Sequence, residues 1–277
     1  MNLWWIIDNF YNKSPKLRKF IMKSLFGNRT IPVTLFDTEL IINSVKENGY
    51  YRASRLCNTS SLLRDEVSVI LNIAGLLSEN DTFVDIGANV GIFSSILSRY
   101  QKIFTDREIY AFEANPDTYK RLKINSDKYG FKAYNIGISD KECELEFLEG
   151  AVSHVFTTIE NASKYNIKDK TIKVKCQRLD QFEIAGKSLI LKIDVEGQEL
   201  QVLRGASSFF DEQRIKAVYL DGYSDKRVLD FLSRYNFSFW DGRKLVETDG
   251  DLFSLLAILP EKLPRKTILA SSPLVQN

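Results

Sequence analysis

The sequence has one histidine, His154, three cysteines, two methionines and six prolines in 277 residues. A single histidine excludes a histidine-rich metal site. Cys57, Cys143 and Cys176 are odd in number and far apart along the chain. They read as neither a disulfide framework nor a zinc-ligand pair, and suit a reducing compartment. Long apolar runs are missing: Phe253–Leu259, broken only by Ser254, falls far short of the ~20 residues of a membrane span. Met1–Ile7 is apolar, but no basic stretch precedes it and no small-residue cleavage site follows, so no signal peptide is expected. An excess of either charge is missing too. Lys and Arg number 38 against 36 Asp and Glu, which gives no general drive toward nucleic acid.

What the chain does have is 44% hydrophobic, 12% aromatic and 27% charged residues. That composition excludes a disordered chain and supplies a sizeable core, enough for one large domain or two small ones. A cytoplasmic protein is expected.

Three regions are expected: an N-terminal accessory region over 1–60, a main domain over 61–260 and a loosely ordered tail over 261–277. Ser14-Pro15 opens a first helix as cap and first residue, Leu17, Phe20, Ile21, Leu25 and Phe26 recur at helical spacing, and Gly27 closes it. Between Asn9 and Phe36 there are six basic residues and no acid. With Trp4 and Trp5 ahead, this segment reads either as a lid or packing helix with a solvated basic face, or as a weak membrane-surface contact through 1–26 peripheral to the inner face. Ile31–Leu35 and Glu39–Val45 read as strands and 62–78 as a helix.

Strand and helix then alternate. Strands are expected at Thr82–Ile86, Glu108–Phe112, Phe131–Ile138, Ser188–Ile193 and 215–220, with Phe237–Trp240 and Phe253–Leu259 last. Helices are expected over 90–100, from Asn115-Pro116 to Gly130, over 197–210 and over 224–234. The alternation implies an α/β fold with a parallel sheet wound on both faces. Residues 139–187 interrupt it with two alternating runs, Glu144–Leu148 and Thr171–Arg178, read as an inserted hairpin or sheet extension.

Three strand ends carry chemistry. Asp85-Ile86-Gly87-Ala88-Asn89-Val90-Gly91 joins a strand to a helix, and its glycines allow a tight turn and close approach of a ligand. Asn89 stands where a middle glycine often sits and a third glycine is missing, so this is not the dinucleotide fingerprint. Asp85 suits a ligand with a positive group. Glu113, followed by Ala114, ends the second strand, where a carboxylate's two acceptors match a ribose diol. Asp194 ends the apolar fourth strand, with Glu196 beyond. Ligands bind outside such strand ends, so Asp85 and Asp194 are expected to face one crevice; Asp194 also suits a helix cap.

Together Asp85–Gly91, Ala111–Pro116, Asn135–Asp140 and Lys192–Gly205 resemble the FkbM-type S-adenosylmethionine-dependent methyltransferases, over roughly residues 64–242. The resemblance implies a class I methyltransferase fold, a seven-stranded, mostly parallel sheet with an antiparallel last strand at Phe253–Leu259. It implies S-adenosylmethionine as cofactor and O-methylation of a sugar, glycan or other hydroxylated small molecule. By that analogy Asp85, Gly87, Ala88, Asn89 and Gly91 surround the methionine part, Glu113 and Ala114 the ribose, and Ile138 and Ser139 the adenine, with Asp194 near the sulfonium and the acceptor. Asp194 is the first candidate for base or acceptor anchor, His154 the second and Asp221 the third. No metal is called for, although Asp194, Glu196 and Asp221 offer oxygen ligands. A nicotinamide-dependent oxidoreductase and a non-catalytic binding or scaffold protein stay open at this point. The acceptor and the oligomeric state are not written in these residues.

Overall fold

The computed structural model describes residues 15–55, 66–104, 108–149, 156–158 and 171–262. Helix α1 (Pro15–Phe26) leads into an antiparallel hairpin of β1 (Thr30–Leu35) and β2 (Thr38–Asn43), then helices α2 (Asn48–Arg55) and α3 (Val67–Leu76). Gly27 ends α1 with a positive φ, its N–H donating to the Lys23 carbonyl. In β1, Ile31, Val33 and Leu35 alternate inward and join a core shared with the main sheet. Two polar contacts pin the hairpin region to the body. The Asn125 side chain accepts from Ile41 N–H and donates to the Ile41 carbonyl, and Arg121 Nη2 donates to Glu47 Oε1 at 2.8 Å, both groups buried.

The main domain runs β3 (Asp81–Ile86), α4 (Ile92–Phe104), β4 (Ile109–Phe112), α5 (Pro116–Tyr129), β5 (Lys132–Tyr134) and, after an inserted sheet, β10 (Ser188–Ile193). It continues with α6 (Glu199–Gly205), α7 (Ser207–Asp211), β11 (Ile215–Asp221), α8 (Arg227–Arg234), β12 (Ser238–Asp241) and β13 (Ser254–Ile258). The seven strands lie in the order β12-β13-β11-β10-β3-β4-β5, and only β13 runs against the rest. This is the class I methyltransferase sheet, with the antiparallel strand where it was expected. Strands buried on both faces send alternate residues to opposite sides. Phe83, Ile190, Ala217 and Leu256 pack under α3, α4 and the hairpin, while Val84, Leu191, Val218 and Leu255 pack under α6, α7 and α8. Helix α5 begins as read from the sequence: Asn115 Oδ1 accepts from Asp117 and Thr118 N–H, Pro116 follows, and Gly130 closes it in the left-handed region.

The inserted elements form a second, four-stranded sheet, β6-β9-β7-β8, of β6 (Gly137–Ile138), β7 (Cys143–Glu149), β8 (Phe156–Thr158) and β9 (Thr171–Gln177). Strands β7 and β9 pair antiparallel, and Cys143 lies directly opposite Cys176. Two cysteines far apart in sequence are therefore cross-strand neighbours, both as free thiols.

Two expectations need correction. Phe131–Ile138 is not one strand. It breaks after Tyr134, where Asn135 Nδ2 donates to the Glu113 and Ala114 carbonyls and draws the chain off the main sheet into the second. The helix expected over 197–210 is two helices that meet at Ala206. Gly205 there packs so closely that a Cβ would stand 2.1 Å from the Ser139 carbonyl oxygen. The α1 stripe, left open between a packing and an interfacial reading, is split: Phe26 meets Tyr51 of α2, whereas Phe20 and Leu25 are 69% and 65% exposed.

Candidate active site

Strand register builds the site. Lys192 on β10 is the direct partner of Asp85 on β3 and of Tyr219 on β11, so the three side chains form a row on one face near the strands' carboxyl ends. Two residues further, Gly87, Asp194 and Asp221 form the next layer at the rim. A charged residue inside an otherwise apolar strand must find partners, and Lys192 does. Its Nζ lies 3.2 Å from Asp85 Oδ1 and 3.4 Å from Asp194 Oδ2, donates to the Gly87 carbonyl at 2.8 Å, and sits 5.5 Å from the Phe93 ring centroid. Burial works against the ammonium, but Asp85, Asp194 and Asp221 outweigh it and hold Lys192 above the ordinary lysine range. Ser94 Oγ donates to the other oxygen of Asp85.

The turn after β3 lies against the end of β10. Gly87 has a φ of +73°, and a Cβ on it would stand 1.9 Å from the Asp194 carbonyl oxygen. The chain after Asp194 hooks sharply through Glu196 and Gly197, both at positive φ. Glu199 Oε1 accepts from Gly197 N–H at 2.7 Å, and burial raises the Glu199 carboxyl to about 7.

Beside this hook opens a crevice. Gly87, Asn89, Glu113, Ala114, Asp194 and Glu196 form its polar side. Ile136, Ile138, Leu145, Phe147 and Cys176, most of them from the second sheet, form an apolar end. Glu113 is fixed by backbone donors: Asn89 N–H reaches Oε2 and Asn115 N–H reaches Oε1, each at 2.8 Å. Burial raises its carboxyl to about 7 against those two hydrogen bonds. The crevice fits S-adenosylmethionine. Glu113 offers acceptors to a ribose diol, the apolar end suits a flat heteroaromatic base, and the Gly87 and Asn89 turn leaves room for the amino-acid part.

The predicted residues fall into three groups. Gly87, Asn89, Glu113, Ala114, Ile138 and Asp194 line the crevice. Asp85, Ala88, Gly91 and Ser139 are buried and do not line it. Asp85 acts through Lys192. Gly91 is a packing glycine, since a Cβ would stand 2.6 Å from Leu122 Cδ1. The Ser139 carbonyl packs on Gly205, and its N–H bonds to the Gln177 carbonyl. Asp221 stands on the neighbouring strand end, where burial first and the Asp194 charge second raise its carboxyl to about 6. Tyr219 Oη donates to Asp221 Oδ1 at 3.1 Å. His154 lies outside the described residues. Among the described residues no group of three His, Cys, Asp or Glu converges as metal ligands. Sequence reasoning missed Lys192, whose charge within an apolar strand was the available signal. It also missed Tyr50 on α2, a buried phenol that feels the charges of Asp194 and Asp85.

Residues 85–239, more than half of the chain, match the methyltransferase FkbM domain family. The chain belongs to that family. It carries an S-adenosylmethionine-dependent methyltransferase domain. Over 182 residues it is 28% identical to the hexuronic acid methyltransferase AglP of Haloferax volcanii, covering 64% of this chain and 71% of that one. Over 149 residues it is 26% identical to Methyltransferase 1 of Beauveria bassiana, covering 46% and 59%. The solved FkbM methyltransferase of Methylobacillus flagellatus is similar at 14% identity and a TM-score of 0.45, and this chain spans 47% of its length.

Proposed function

We propose that this domain transfers the methyl group of S-adenosylmethionine to a hydroxyl of a sugar or glycan. The observation that carries the reading is the position of Asp194. It lines the cofactor crevice, touches Lys192 and raises Asp221 on the next strand end. When bound, S-adenosylmethionine supplies an electrophilic methyl on a positively charged sulfur. The acceptor hydroxyl must lose its proton as the methyl arrives.

Asp194 anchors that hydroxyl at the crevice rim, and Asp221 takes the proton. A carboxyl held at about 6 is ionised at neutral pH, yet more basic than an ordinary aspartate, the compromise a general base needs. Lys192, in contact with both Asp85 and Asp194, holds the two side chains in place. The sugar assignment leans on AglP, whose named acceptor is a hexuronic acid, and on the absence of an overall basic charge.

The test is methyl transfer from labelled S-adenosylmethionine to a panel of neutral glycosides and glycuronides. The expected product carries a new methyl ether. Asp221→Asn is expected to lower turnover about 10²–10⁴-fold while still binding S-adenosylhomocysteine. Unchanged turnover in Asp221→Asn would remove it as the base, and label on nitrogen or carbon would refute O-methylation.

A further inference from the structure

Among the described residues, helix α1 meets the protein through Met22 and Phe26. Met22 is fully buried, and Phe26 meets Tyr51 of α2 edge-on with ring centroids 5.0 Å apart. The other side carries Leu17, Phe20, half-buried Ile21 and Leu25 at the i, i+3, i+4, i+8 spacing of a helical stripe, with Ser24 in the i+7 place. An apolar stripe with that spacing ordinarily faces a core, but here Phe20 and Leu25 face outward, 69% and 65% exposed. Lys19 and Lys23 flank the stripe and are exposed as well. The sequence adds Lys13, Lys16, Arg18 and Arg29, and no acid occurs between Asn9 and Phe36.

We propose that α1 is an interfacial helix that seats the protein on an anionic lipid surface. Phe20 and Leu25 enter the boundary between headgroups and acyl chains, and Lys19 and Lys23 lie at the level of the phosphates. The charge pattern selects this occupant. A second copy of α1 would bring a cationic flank against an equally cationic one. An anionic surface with an apolar interior matches both halves of the helix. The sequence supplies two further interfacial side chains ahead of the helix, Trp4 and Trp5.

The inference also deepens the proposed function. The inward side of α1 rests on Tyr51, and the adjacent Tyr50 is buried in the same core as Tyr219 and Phe93, the ring beside Lys192. The lipid-facing helix is thus one helix away from the acceptor side of the site, which fits a sugar carried on a membrane-bound lipid. That extension rests on the methyltransferase reading; the docking itself does not.

The experiment is co-sedimentation of the full chain with phosphatidylglycerol-containing vesicles and with phosphatidylcholine vesicles, at low and high salt, without cofactor or acceptor. Binding to the anionic vesicles is expected to fall with salt. Lys19→Gln and Lys23→Gln are each expected to weaken it about fivefold, and Phe20→Ser with Leu25→Ser to weaken it more. All four side chains are exposed, so circular dichroism and S-adenosylhomocysteine binding should stay at wild-type values. Equal binding to both vesicle types, no binding, or variants that bind as wild type would overturn the proposal. So would a dimer in sedimentation velocity that Phe20→Ser dissociates. Methyl transfer is assayed separately on soluble glycosides, so a failure of docking and a failure of the enzymatic reading are distinguishable.

Discussion

Lys192 and Asp85 are direct register partners on adjacent parallel strands, and their buried side chains meet at 3.2 Å. Neither alone is tolerable there, since an unpaired charge at that depth must be neutralised or hydrated. Asp85 is 1% exposed and Lys192 3%. Lys192→Met therefore leaves Asp85 without its counter-ion and is expected to cost about 3–5 kcal/mol. The double variant Lys192→Met with Asp85→Leu is expected to recover much of that loss, because no charge remains buried. Urea unfolding of the two singles and the double checks it. A double variant as unstable as the sum of its parts would show that the pair is not the unit.

The second prediction concerns pH. Burial and the Asp194 charge raise Asp221 to about 6, with Lys192 pulling the other way. If Asp221 is the base, kcat/KM rises with pH through about 6 and then levels. Asp194→Asn removes one of the raising charges, so the inflection moves to lower pH. Lys192→Met removes the opposing charge, so in a variant that still folds the inflection moves up. Rate profiles of wild type and Asp194→Asn against pH test the sign. An inflection that does not move in Asp194→Asn would detach Asp221 from the profile.

Much of this site was legible in the sequence, and what was not depended on register. The turn from Asp85 to Gly91, the acid at Glu113 and the strand-end Asp194 each sit beside a readable strand-to-helix junction, so their level in the sheet followed from position alone. The partnership of Lys192 with Asp85 spans more than a hundred residues, and no local pattern encodes which residue of β3 faces which of β10. The same holds for Cys143 and Cys176. The crevice wall at Leu145 and Phe147 was visible as an alternating run, yet alternation gives two faces without saying what either covers. The break between β5 and β6 was hidden because the cause, Asn135 bonding to Glu113 and Ala114, is tertiary. The helix α1 stripe was legible as a stripe. Its direction was not, because periodicity marks an apolar face and leaves open whether protein or lipid meets it.

Glu113 gives a binding prediction separate from turnover. Its carboxyl is raised to about 7 by burial, so near neutrality it is partly protonated in the free protein. If Glu113 holds the ribose, the diol donates two hydrogen bonds to the ionised form, and affinity for S-adenosylhomocysteine is expected to fall as pH drops below about 7. Glu113→Gln keeps the shape but loses the charge. It is expected to weaken binding about tenfold to a hundredfold, the value of hydrogen bonds to a charged group, and to flatten the pH dependence. For stability the sign is opposite to that of a salt-bridged carboxylate. A folded pKa above the unfolded one stabilises the fold below about 4.5, and that contribution is lost as pH rises through about 7. Glu113→Gln removes that pH-dependent loss but sets an NH2 against one of the two backbone N–H donors, so its stability is expected to vary less with pH than that of wild type across this range. Calorimetric titration and thermal melts across pH measure both effects.

Gly87 tests the geometry of the strand-end crossing. Its φ of +73° costs a side chain about 1–2 kcal/mol, and a Cβ would lie 1.9 Å from the Asp194 carbonyl oxygen. Backbone on both sides has to move, and overpacking of that kind adds about 1–3 kcal/mol. Gly87→Ala is thus expected to cost about 2–5 kcal/mol and to shift Asp194, so cofactor affinity falls along with stability. Gly130→Ala is the control. It has a similar φ of +80° but open space where its Cβ would go, so it carries only the conformational cost and leaves S-adenosylhomocysteine affinity unchanged. If the two variants lose equal stability and keep equal affinity, the close approach of the Gly87 turn to Asp194 is not what shapes the cofactor site.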